Sequence, residues 1–91
     1  MKEIQFFVTA RGTAELYTET AERVYTYVIL PSGELIDMVN NRPVGNMPVT
    51  PKTRKLAWAL DRVIDDIKAL LNSQDKAEVT RLFAKIQDHL T

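Results

Sequence analysis

The stretch PKTRKLAWALDRVIDDIKALL, residues 51–71, decides the fold. Drawn at about 100° per residue, Leu56, Leu60, Val63, Ile64, Ile67, Leu70 and Leu71 fall within one arc of roughly 120°, the apolar stripe that a helix turns toward a core. Thr50 stands ready as N-cap, and Pro51 suits the first helical position, where no N–H is needed. Asn72 and Ser73 break the run, so the spacing predicts a helix over 51–72. Asp75, with Glu78 three residues on, makes a weak capping box in which Asp replaces the usual Ser or Thr. Val79, Leu82, Phe83, Ile86 and Leu90 then form a narrower stripe, and a second helix is expected over 75–90.

Working back from the first helix, residues 40–51, NNRPVGNMPVTP, hold three prolines and three asparagines. Proline cannot donate to a β-ladder, so this segment reads as a loop or an irregular edge. Residues 1–40 carry strand patterns. KEIQFFVTAR alternates, with Ile4, Phe6, Val8 and Ala10 on one side and Gln5, Phe7, Thr9 and Arg11 on the other. TAELYTET follows Gly12, with Leu16 inward if Glu15, Tyr17 and Glu19 face out. RVYTYVIL is β-branched and aromatic throughout, and Pro31-Ser32-Gly33 turns it toward ELIDMVN. A sheet with one bare face and two amphipathic helices needing a cover make one α+β domain over residues 1–91. We expect an antiparallel meander of three or four strands with both C-terminal helices on one face. The alternative is a second helix that packs on another chain.

Composition narrows the function. The chain has 45% hydrophobic and 26% charged residues, an ordinary globular balance, and a formal net charge of zero, so its total charge draws it to neither nucleic acid nor membrane. Residues 1–50 carry four basic and six acidic side chains, net −2; residues 51–91 carry eight and six, net +2. Cysteine is absent, which removes disulfides, thiolate zinc sites and cysteine nucleophiles. The short apolar run at the N-terminus, broken by Gln5, does not read as a signal peptide, and no stretch approaches the ~20 apolar residues of a bilayer span. A cytoplasmic protein is the expectation.

Catalytic patterns are missing. Three glycines, Gly12, Gly33 and Gly45, make no phosphate-cradling loop. His89 is the single histidine; without an orienting partner it reads as a solvated side chain near a helix C-terminus, where its positive form suits the dipole. Asp61 and Asp65 share a helix face and suggest a divalent-ion pair only until their neighbours are counted: Asp65 can pair with Lys68 and Asp66 with Arg62, as on a solvated face. No enzyme activity, cofactor or metal is expected.

Trp58 is the oddity. It falls near 200° on the wheel, opposite the stripe, with Arg54 and Arg62 four residues away on either side and Asp61 and Asp65 close by. Either the guanidiniums cover the indole, or another element packs over it, or it is a binding hot spot, since Trp and Arg carry much of the energy of interfaces. We take the last reading, with Arg54, Trp58, Asp61, Arg62 and Asp65 as the partner-binding face of a small interaction protein, a regulator or inhibitor acting by surface occupancy. The 40–48 loop would flank it. The rival is a nucleic-acid or anion site made by Lys52, Arg54, Lys55 and Arg62 around the first helical turn, where basic residues oppose the macrodipole. A third surface, Phe7, Tyr17, Tyr25 and Tyr27 on the sheet face away from the helices, reads as a cross-strand aromatic cluster or as the seam of a homodimer. Glu15, Glu19 and Asp37 on that face would repel phosphate.

Overall fold

The computed structural model describes residues 3–90. It is an α+β fold: strands β1 (Gln5–Val8), β2 (Ala14–Glu19), β3 (Val24–Ile29), β4 (Leu35–Val39) and β5 (Arg42–Pro43), then helices α1 (Pro51–Asn72) and α2 (Lys76–Leu90). The sheet is a fully antiparallel meander in sequence order, β1-β2-β3-β4-β5.

The fifth strand exceeds the three or four expected. Asn40 and Asn41 both adopt positive φ, 52° and 65°, and they join Val39 to its partner Arg42. Asparagine tolerates this left-handed backbone, and two such residues in succession match the twist of a tight hairpin. Pro43 is accommodated because β5 is the outer strand. At the β3–β4 turn Gly33 takes φ +92° and donates its N–H to the Leu30 carbonyl at 2.8 Å. A Cβ there would stand 3.1 Å from the flexible Lys68 side chain of α1, so it is the left-handed backbone that favours glycine.

Register fixes the two faces of the sheet. Leu16 pairs with Phe6 on one side and Tyr27 on the other, and Thr18 lies opposite Tyr25. Since side chains alternate, Phe6, Ala14, Leu16, Tyr25, Tyr27 and Ile29 all point one way, into a core completed by Leu56, Leu60, Val63, Ile67 and Leu70 of α1. Leu82, Ile86 and Leu90 of α2 join the same core. The second helix packs against α1 of its own chain. Phe83 also reaches Phe6 of β1, with ring centroids 5.3 Å apart, and Lys85 bridges to Asp66 of α1 at 3.4 Å.

Helix ends follow their residues. Thr50 Oγ1 accepts the Thr53 N–H at 3.1 Å while Thr53 Oγ1 accepts the Thr50 N–H at 2.7 Å, a reciprocal cap built from two threonines. Thr53, 3% exposed, also donates to the Pro48 carbonyl at 2.6 Å, which fastens the preceding loop. Asp75 accepts the Ala77 N–H at 3.0 Å and starts α2.

Candidate partner-binding surface

The outer face of α1 is bare. Arg54, Trp58, Asp61, Arg62, Asp65 and Ala69 are all exposed, and Trp58 keeps 67% of its surface in solvent. No aromatic ring packs on the indole among the described residues, and the end of α2, at His89 and Leu90, borders it across a cleft without covering it. α2 packs along a flank of α1 and meets this face only at its C-terminal end, His89 and Leu90.

The charges around Trp58 are uncommitted too. The expected pairs Asp65–Lys68 and Asp66–Arg62 do not form; Asp66 turns to Lys85 of α2 instead, because it lies on the flank of α1 next to that helix. Among the described residues Arg54, Arg62, Asp61 and Asp65 make no ion pair. Two cleft-like margins border the face. On one side Trp58, Ala59 and Arg62 meet Ile4, His89 and Leu90 around a shallow cleft of about 200 Å³. His89 is exposed there, beside Arg62. On the other side Arg54 and Ala57 border Pro48, Val49 and Tyr27. Val49, 76% exposed, adds an apolar contact that its place in a proline-rich loop did not announce.

Besides the Thr53 hydroxyl on Pro48, Asp37 fastens the 40–51 loop. Asp37 of β4 accepts the Met47 N–H at 3.0 Å through Oδ2, and its carbonyl accepts from Val44 at 2.9 Å. Asp37 also pairs in register with Tyr27. Burial pushes the Tyr27 phenol above its ordinary pKa, and the negative charges of Asp37 and then Asp61 push it the same way.

Of the cations of the rival site, Lys55 and Arg62 line one cleft with Trp58. Lys52 and Lys55 lean toward Glu3, at 3.8 and 3.5 Å, Arg54 borders Val49, and Arg62 lies beyond Trp58 next to His89. No three His, Asp or Glu side chains gather into a metal cradle among the described residues.

The aromatic seam needs correction. Only Phe7, 42% exposed, and Tyr17 lie on the sheet face away from the helices, edge-to-face at 6.0 Å. Tyr25 and Tyr27, 5% and 9% exposed, are core residues. Tyr17 lies opposite Thr26, so the two β3 tyrosines, one position to either side, must point inward. Asp37 shares their side.

Compared with protein-family models, with curated proteins and with solved structures, the chain matches none. Among the described residues no helix is long and apolar enough to cross a membrane.

Proposed function

We propose that this chain is a small interaction module, a regulator or inhibitor that works by covering part of a partner protein's surface. The contact is the outer face of α1, with Trp58 at its centre and Arg54, Asp61, Arg62 and Asp65 around it. One observation carries the reading: the chain's single tryptophan stands 67% exposed, beside charges that make no ion pair among the described residues. An exposed indole contributes little to stability, whereas buried in a partner's pocket it removes a large apolar area from water and becomes a typical hot spot. Its rim of two arginines and two aspartates suits a partner with both signs around an apolar pocket, and such a rim sets specificity and association rate more than affinity. The nucleic-acid reading has less support, since two of its four cations already lean on Glu3.

A photo-crosslinking residue at Asp65 tests this in lysate of the source cells, with the same residue at Glu22, in the exposed β2–β3 turn, as control. A defined adduct is expected at 65, absent at 22, and lost when Trp58→Ala or Arg62→Glu is added. An adduct that survives both substitutions unchanged would remove the α1 face from the function.

A further inference from the structure

The sheet has a second, uncovered side, and its residues fall in two ordered rows. One runs Gln5, Tyr17, Thr26, Met38 and the other Phe7, Glu15, Val28, Ile36, each set by the pairing of neighbouring strands. Thr26, flanked by Tyr17 and Met38, keeps only 4% of its surface, while Phe7 keeps 42%. Apart from Gln5 and Glu15 the rows are apolar or threonine. A sheet normally buries such a face against another layer.

We propose that a second copy of this chain supplies that layer, giving a two-fold dimer with helices outside and the two sheets face to face. A two-fold interface must complement itself. Here the apolar centre meets itself, and each end of the face carries both signs: Arg11 with Glu15 at one, Arg23 with Glu19 and Glu22 at the other. Arg11 and Glu15 line one hollow with Val28 and Ile36. Two broad, gently twisted sheets also fit one another at a spacing of ~10 Å, whereas a phosphate backbone or an anionic lipid surface would meet Glu15 and Glu19.

Four strands ~4.8 Å apart, of four, six, six and five residues, give a footprint of ~340 Å² in projection. Two such faces come to ~700 Å² in projection, and side-chain relief brings their accessible surface to the lower edge of specific interfaces, on the order of 1,000 Å². The dimer is therefore reversible, dissociating across the micromolar range. Trp58 stands on the far side of the helix layer, so this contact is independent of the partner-binding face.

Sedimentation velocity on the full chain, from about 1 μM to roughly 1 mM, spans the affinities expected of an interface this small. The mass is expected to rise from the 10.4 kDa monomer toward twice that value. Val28→Glu should raise the dissociation constant at least ~10-fold with an unchanged far-UV spectrum, and Trp58→Ala should leave it alone. If Val28→Glu fails to fold, Phe7→Ser at the exposed rim takes its place. A monomer at every concentration overturns the proposal. So does a dimer that tolerates the sheet substitutions but is lost with Trp58→Ala, which would put the seam on α1.

Discussion

Replacing Trp58 by alanine separates binding from folding, because the structure sets the stability cost low. The indole has given up about a third of its surface, and a tryptophan has ~150–250 Å² to bury. The loss is thus ~50–80 Å², or ~1–2 kcal/mol at ~25 cal/mol per Å², an upper figure because an unfolded chain already hides some of that area. Alanine returns ~0.5 kcal/mol through its better helix propensity. The net cost is on the order of 1 kcal/mol, a fall in Tm of ~4–8 °C for a domain this size. Ile67→Ala, nine residues along the same helix and fully buried, should cost ~2–5 kcal/mol through lost burial and a cavity. That is a large part of the ~5–15 kcal/mol that usually holds a domain together. Thermal and urea melts of the two variants beside the parent make the assay. A Trp58→Ala variant as unstable as Ile67→Ala would refute the reasoning, since the indole would then be structural.

Two further outcomes follow from buried polar groups. Thr53→Val removes the acceptor for the Thr50 N–H and the donor to the Pro48 carbonyl, so urea melts should show a loss of ~1–3 kcal/mol, largely recovered by Thr53→Ser. Tyr27 has its pKa raised by burial and by Asp37 and Asp61; a group whose folded pKa exceeds the unfolded one stabilises below the unfolded pKa and loses that contribution as pH climbs through the folded pKa. Stability should therefore decline above about pH 10, and urea melts of Tyr27→Phe across that window should show a shallower decline.

Much of this fold was legible because its signals are local and agree with one another. The stripe from Leu56 to Leu71 and the Thr50-Pro51 start define α1 to within its observed bounds, Pro51–Asn72, and Asp75 marks the start of α2. Trp58 stood out for the same reason: 3.6-residue periodicity places it off the stripe whatever packs on the stripe itself. What escaped depends on relations between segments. The side of the sheet taken by Tyr25 and Tyr27 follows from the register of β3 against β2, which one residue of slip would reverse. Asp66 finds Lys85 only once α2 has folded back on α1. β5 had a local signal, Asn40-Asn41, but Pro43 within it and Pro48 and Pro51 after it read more strongly as loop. Val49 and the outer rows of Val28, Ile36 and Met38 are apolar residues whose exposure depends on what the rest of the chain leaves uncovered.

The most direct test of the α1 face is the light emitted by Trp58 itself. Emission maximum and iodide quenching, followed through a dilution series of the purified chain, report whether anything covers the indole. A red, readily quenched signal at every concentration is expected, unchanged even where the sheet-to-sheet dimer dissociates. A blue, protected signal that persists on dilution would make Trp58 part of the core. One that turns red on dilution would mean a second copy covers it, and in either case α1 would not present a free surface to a partner.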